Sequence, residues 1–291
     1  MIIEKNRHLE AATSLMGNRP QGKVLLQSLT ERPNGSFQFI APKKTLHQIA
    51  MLILHNPGAS ATFLATPPKS NDEIEAIQEL IQEGLIAVRT PGISLVQTVM
   101  GTHEPLLEQA FKYAGFSKLA TLTYMEQTRP PKQIRLQQGI QFTQLSQQHD
   151  NILGQLLEET YVDSLDCPAI HGARKVQDII DGHRGTDKQS AQVWSIAELG
   201  GVPTGVILLN TIPKSNRIEL AYIGIAPRAR GRGLSHSLMQ HAVHQARKHN
   251  CTKITLAVDA TNGPAIGLYK KWNFIEKHKR LTLIHKLSTV C

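Results

Sequence analysis

Cysteine is scarce: Cys167, Cys251 and Cys291 are the only three in 291 residues. An odd, scattered set excludes a disulfide framework and the paired-cysteine spacing of zinc sites. Aromatic residues make up 5%, which leaves little material for stacking nucleobases. No run approaches the roughly 20 apolar residues of a membrane span. The opening MIIEKNRHLE is charged and has no apolar signal-peptide core. The expected setting is therefore a reducing cytoplasm. Two phosphate-binding patterns are also missing. Without G-x-x-x-x-G-K-[ST] the chain is no P-loop NTPase, and without G-x-G-x-x-G and a later acidic residue it is no dinucleotide-binding fold. Neither helix-turn-helix nor zinc-finger spacing occurs, which argues against nucleic acid as the partner.

Acidic residues are in deficit, 23 against 32 Lys and Arg. The imbalance is concentrated. From Ile212 to Cys291 there are 14 basic and 3 acidic residues, whereas Asp150 to Ser190 holds 8 acidic and 4 basic. A basic C-terminal third suits a polyanionic ligand, either nucleic acid or a phosphorylated cofactor, or else a solvated basic face.

At this length two domains are expected. The Gln- and Pro-rich stretch EQTRPPKQIRLQQG (126–139) reads as a linker, which divides the chain into 1–130, a linker at 131–138, and 139–291. In the second part the patterning predicts a strand at 139–144, helices at 145–161 and 172–182, and strands at 191–198, 203–210 and 217–225. A helix at 234–249, a strand at 253–259, a helix at 263–271 and a strand at 280–287 follow. Leu234, Leu238, Met239, Ala242, Val243 and Ala246 share one face of the 234–249 helix and should pack on a sheet. His241 and His244 stand three apart on it, but two ligands without a third predict no metal site.

The first part reads as strands at 36–41, 46–54 and 60–66, a helix at 71–84, a strand at 92–99, a helix at 104–114 and a strand at 118–125. Residues 93–116 can be laid over 254–274, which aligns Phe111 with Tyr269 and Gly115 with Asn273. This is the mark of an internal repeat.

ARGRGLSHSL (229–238) joins the end of a strand to the start of a helix. Amides at a helix start lack partners and carry partial positive charge. Gly231 and Gly233 let the backbone wrap an anion closely, and the arginines add charge, so the loop reads as a diphosphate cradle. A tight strand-to-helix turn needs one glycine, hardly two glycines and three arginines.

Arg228-Ala229-Arg230-Gly231-Arg232-Gly233 resembles the R/Q-x-x-G-x-G/A motif of the GNAT superfamily of acyl-CoA-dependent N-acyltransferases. Asn262, Ala265, Leu268, Tyr269 and Phe274 resemble its second motif. Ser235 departs from the pattern where a third glycine is frequent, and Asn273 where glycine is usual. The resemblance covers about 136–291, and the doubled organisation is similar to tandem GNAT proteins of the mycothiol synthase type. It implies an α/β (α+β) fold of two GNAT-like domains, each a mixed, mostly antiparallel sheet flanked by helices. The N-terminal one is then degenerate, because LATPPKSNDEIEAI lacks the glycines and arginines and Phe111 lacks a hydroxyl.

The implied activity is acyl transfer, most simply acetyl, from acetyl-CoA as co-substrate to a small-molecule or peptide amine. The resemblance puts the diphosphate on the amides of Arg230, Gly231, Arg232, Gly233, Leu234 and Ser235. It puts the pantetheine arm along Ile223 and Ile225, with Asn262 orienting it. Tyr269 becomes the general acid and Glu219 the base acting through water. Glu158, Glu159, Asp163, Asp166, Asp178 and Asp181, in the segment over the acceptor, could attract a cationic amine or simply be surface charge. A non-catalytic CoA-binding regulator and a basic nucleic-acid-binding protein stand as alternatives. No metal or membrane is expected, and the sequence leaves the oligomeric state open.

Overall fold

The computed structural model describes residues 1–42, 49–89, 92–131, 139–185 and 192–287. Past Pro131, the expected linker lies outside the described residues. The chain forms two compact units. One takes Met1–Ala120 and the chain from Arg280; the other takes Thr121–Arg184 and Lys188–Lys279.

The first unit opens with Ile2, which forms an isolated antiparallel bridge to Ile40. Helices α1 (His8–Met16) and α2 (Arg19–Thr30) follow, then strands β1 (Phe37–Ile40), β2 (Met51–Asn56) and β3 (Ser60–Ala65). Helix α3 (Asn71–Ala87), β4 (Leu95–Gly101), α4 (Pro105–Tyr113) and β5 (Ser117–Thr128) complete the series. The second series repeats that order: β6 (Ile140–Gln144), α5 (Asp150–Tyr161), α6 (Val176–Arg184), β7 (Ser195–Leu199), β8 (Val202–Ile212), β9 (Arg217–Ile225), α7 (Leu234–Lys248), β10 (Lys253–Asp259), α8 (Gly263–Lys271) and β11 (Ile275–Lys286).

The last strands are exchanged. In the first unit β4 is flanked on one side by β3 and on the other by the 280–286 part of β11, where Leu281 faces Met100 and Leu283 faces Thr98. In the second unit β10 pairs with the 122–128 part of β5 and with β9, and the order continues through β8 and β7 to β6.

Packing follows the apolar periods. Ile74, Ile77, Leu80, Ile81 and Leu85 of α3 bury against Met51, Ile53 and Phe63, and Leu281 and Leu283 join the same core. Gly84 allows the close approach, since a Cβ there would lie 2.6 Å from Met51 Cε. In the second unit Leu238, Met239, Ala242, Val243 and Ala246 of α7 pack on Ile207, Leu209, Ile218, Leu220, Ile254 and Leu256. The repeat extends to turn geometry. Phe116 N–H donates to Phe111 O, and Phe274 N–H donates to Tyr269 O, each at 3.0 Å. Gly115 (φ 89°) and Asn273 (φ 60°) hold the same left-handed position, which asparagine tolerates.

Three expectations shift. Helices α1 and α2 were not foreseen, although Asn18 caps α2 by accepting from Gln21 N–H at 2.9 Å, with Pro20 in the first turn. Strand β11 starts at Ile275 rather than 280, because its first residues are exposed on both faces and show no alternation. Strand β7 starts at Ser195, preceded by an isolated bridge at Gln192.

His241 is turned into the core and is not poised for a metal. Its Nε2 is 3.0 Å from Ser195 Oγ, and its ring stacks on Phe142 at 4.0 Å. Among the described residues no group of three or more His, Cys, Asp or Glu could hold a metal ion.

Two predictions follow from this packing. Burial, with His244 and Lys248 nearby, depresses the His241 pKa from 6.5 to about 4. Below pH 6.5 the unfolded chain takes up a proton that the folded chain refuses until about pH 4. Stability to urea should therefore fall as pH drops through that window, less steeply in His241→Gln. Leu283→Ala should cost about 2–5 kcal/mol in urea unfolding, as expected for a fully buried leucine.

Candidate active site

Strands β9 and β10 run parallel and pair only where Arg217–Leu220 face Lys253–Leu256. Beyond that point they part. On its other edge β9 keeps its pairing to β8, but with a bulge: Leu209 faces Leu220, Leu208 faces Tyr222, and Ala221 has no partner. Past the bulge the ladder fixes which backbone groups face the opening. Ala226 N–H donates to Thr204 O at 2.9 Å. Because antiparallel pairs alternate, Gly224 and Tyr222 also bond toward β8, and the N–H and C=O of Ile223 and Ile225 point into the gap. Those are the two residues expected to hold an extended ligand arm.

Next to the gap lies the glycine loop. Gly231 (φ 76°) and Gly233 (φ 77°) are left-handed, and a Cβ on either would meet nothing within 4 Å. Gly233 is the N-cap of α7 and supplies no side-chain cap. The helix start therefore presents open amides with the positive end of a 15-residue helix behind them. Leu234, buried at 2%, pins the helix start to the core, and Ser235 follows in the first turn.

The arginines do a different job from the one expected. Arg230 N–H donates to Pro227 O, and its guanidinium bonds the carbonyls of Ile225 (3.1 Å), Thr160 (3.1 Å) and Val162 (2.7 Å). Arg228 forks onto Glu159 (2.8 and 3.1 Å) and reaches Pro203 O at 2.7 Å. Both are struts between the loop and the C-terminal end of α5, where exposed carbonyls attract cations. Arg232 is the exposed arginine of the loop that remains beside the amides.

Tyr269 projects from α8 into the core at 5% exposure, 5.7 Å from the Phe274 ring. Burial raises its pKa, and Asp166 and Tyr222 add to the rise, so it is held firmly protonated. Asn262 is the N-cap of α8: its side chain accepts from Ala265 N–H at 3.2 Å. It therefore aims the helix carrying Tyr269, a task different from the expected contact with the ligand arm. Glu219 is exposed and faces Thr255 in the closed part of the sheet, before the strands separate. That position does not favour it as a base.

Sequence reasoning missed Tyr222. Its hydroxyl lies 2.9 Å from Thr160 Oγ1, and burial pushes its pKa up to about 12. Gly224 makes room for it, since a Cβ there would lie 2.7 Å from that hydroxyl. The signal was present in A-Y-I-G, an aromatic two residues before a glycine on one face of a strand.

The first unit has the same opening without the anion seat. Strands β3 and β4 pair from Ser60 to Thr62 and then part. A cavity of about 1130 Å³ lies among α1, the start of α2, Thr66–Lys69 and Glu73. At the start of α3, however, Ser70 Oγ caps Glu73 N–H (3.4 Å) and the Glu73 carboxylate accepts from Lys69 N–H (2.6 Å). With Pro67 and Pro68 lacking amides as well, that helix start is capped by its own side chains and offers an anion fewer donors.

Residues 157–274 match the family model described as "Acetyltransferase (GNAT) family". This segment is a GNAT acetyltransferase domain. A mycothiol acetyltransferase of Corynebacterium glutamicum is 38% identical over 56 residues, 19% of each chain. Streptothricin acetyltransferase of Streptomyces lavendulae is 30% identical over 94 residues, 32% of this chain and 49% of that one. The matches thus span between about a fifth and a half of these curated relatives. Across the full length the fold is that of solved GNAT proteins. A GCN5-related N-acetyltransferase from Sphaerobacter thermophilus has TM-score 0.61 at 15% identity, covering 96% of this chain and 90% of that one. A tandem GNAT protein from the clavulanic acid biosynthesis pathway has TM-score 0.57 at 11% identity, covering 100% and 99%. Among the described residues no helix is long and apolar enough to cross a membrane.

The struts in this GNAT domain predict a contrast. Arg230→Ala should lower unfolding stability by about 1–2 kcal/mol through its lost carbonyl bonds. Arg232→Ala should stay within about 0.5 kcal/mol of the parent. Thermal unfolding of both variants checks this.

Proposed function

We propose that the second unit transfers an acyl group, most simply acetyl, from acetyl-CoA to the nitrogen of a small-molecule amine. The observation that carries this reading is the gap between β9 and β10, which leads to a glycine-lined helix start with no side-chain cap, with the buried Tyr269 on the helix that follows β10. The amides from Gly231 to Ser235 would take the diphosphate. The outward N–H and C=O of Ile223 and the N–H of Ile225, whose carbonyl is taken by Arg230, would hold the pantetheine as an added strand. The unpartnered backbone at Ala221 would place a donor where the thioester oxygen gains charge, worth roughly 10²–10³ in rate.

Tyr269 would protonate the departing thiolate. Its raised pKa keeps the proton in place until the C–S bond breaks, so transfer would accompany cleavage rather than precede it. A small-molecule acceptor is supported by the names of the relatives, which refer to mycothiol and streptothricin. In this reading the first unit, nominally 1–130, binds no CoA diphosphate, because its own helix start is capped. Its place would be structural or in shaping the acceptor site, and the protein would work in the cytoplasm.

Calorimetry with acetyl-CoA should give micromolar binding that Gly231→Glu/Gly233→Glu abolishes, while duplex DNA gives none. Thiol release on a panel of amines should then appear for the parent chain and fall at least tenfold in Tyr269→Phe. Binding without thiol release would favour a CoA-binding regulator, and DNA binding without acetyl-CoA binding would favour the nucleic-acid reading. Unchanged kcat in Tyr269→Phe would remove the tyrosine from the mechanism.

A further inference from the structure

Transfer to nitrogen needs a group that removes a proton from the incoming ammonium, and Glu219 is badly placed for it. We infer that Asp166, on the segment between α5 and α6, is that general base, an assignment that rests on the acyl-transfer reading above. Asp259 N–H donates to its Oδ1 at 3.1 Å. Asp259 is the last residue of β10, beyond the point where β10 leaves β9. The bond therefore docks the Asp166 carboxylate at the open end of the gap.

Residues from every neighbouring element respond to its charge. Asp166 raises the pKa of Tyr161 at the end of α5, Tyr222 on β9, Tyr269 on α8 and Cys167 beside it. Its charge thus reaches hydroxyls on α5, β9 and α8, that of the proposed acid included. His171, Arg174 and Asp259 complete its charged surroundings. The Asp259 N–H and His171 steady the anion, the Asp259 carboxylate opposes it, and Arg174 acts on Tyr161. Burial, helped by the Asp259 carboxylate, lifts the Asp166 pKa above the ordinary carboxylate value even though the Asp259 N–H bond and His171 lower it, and a raised pKa makes the carboxylate a stronger base.

Among the other acids of this segment and of β10, Glu158 and Asp163 are exposed to solvent, and the rest are engaged elsewhere. Glu159 holds Arg228, and Asp150 and Asp181 hold Arg184. Asp178 interacts with Arg174. Asp259 turns its own Oδ1 back onto Thr261 N–H (2.9 Å) and Thr261 Oγ (2.8 Å). Cys167 is no rival as nucleophile, since burial and the two aspartates push its thiol up to about 12.

The steps balance. The acceptor ammonium gives one proton to Asp166, and its nitrogen lone pair bonds the thioester carbon. The C–S bond breaks, and the thiolate takes the Tyr269 proton. The N-protonated amide returns a proton to the tyrosinate, and Asp166 releases its own to water. The net products are the amide, the free thiol and one proton.

The test compares the parent chain with Asp166→Asn and Asp166→Glu, using acetyl-CoA and the fastest amine of the panel from pH 5 to 10. In the parent, kcat/KM should rise along one acid limb and then level off. Asp166→Asn should bind acetyl-CoA within twofold of the parent by calorimetry, yet lose roughly 10²–10⁴ in kcat/KM at pH 7. Its rate should climb about tenfold per pH unit toward the pKa of the acceptor, with no plateau. Asp166→Glu should restore a plateau with a displaced acid limb. An Asp166→Asn profile of parental shape, whether or not the rate is lower, overturns the assignment. If the Asn variant does not bind the donor, an undisplaced acid limb in the Glu variant overturns it. A parent chain that binds no acetyl-CoA or acylates no amine overturns the acyl-transfer reading itself, and the assignment with it.

Discussion

The second unit is organised by the parting of two parallel strands after Leu220 and Leu256. A parallel pair is held by evenly spaced bonds, so separating it leaves a row of unmet donors and acceptors along each edge. Such a row is costly when buried dry and useful when a ligand supplies the missing strand. The bulge at Ala221 lies where the separation begins. It lets β9 keep its bonds to β8 while presenting its other edge outward. Because α7 follows β9 directly, the same divergence carries the chain into a helix whose first amides lie next to the exposed edge.

The arginines show how much of a basic motif can be structural. Composition alone suggested that all of Arg228, Arg230 and Arg232 served an anion. Arg228 and Arg230 instead bond carbonyls and a carboxylate at the end of α5. The loop is held in shape by its own charge, which favours open amides because a slack loop would fold back onto them. Guanidinium groups suit this work, since one planar fork can satisfy several carbonyls at once.

Much of this was legible in the residues. The 3.6-residue period of 234–249, the strand at 253–259 and the Phe111/Tyr269 correspondence are short-range patterns, and the structure bears them out. The directions of Ile223 and Ile225 follow from alternation once β8 is in place. Other features were hidden for definite reasons. Asn262 is a common helix cap, and sequence spacing does not separate capping from ligand contact. Asp166 is one acid among several, and only the fold shows which of them are already paired. Tyr222 reads as an ordinary strand aromatic until Thr160 and Gly224 are seen around it. The exchange of final strands leaves no local trace, since β5 and β11 have the same pattern whichever sheet they join.

That exchange bears on how the protein is made. The sheet of the first unit lacks one partner of β4 until the residues from Arg280 onward, about 180 positions later in the chain, have been made. Until then β4, a strand with buried leucine, valine and methionine, has an open edge. A chain made from its N-terminus must therefore keep that edge sheltered across the synthesis of the whole intervening second unit, so the folding of the two units is coupled in time.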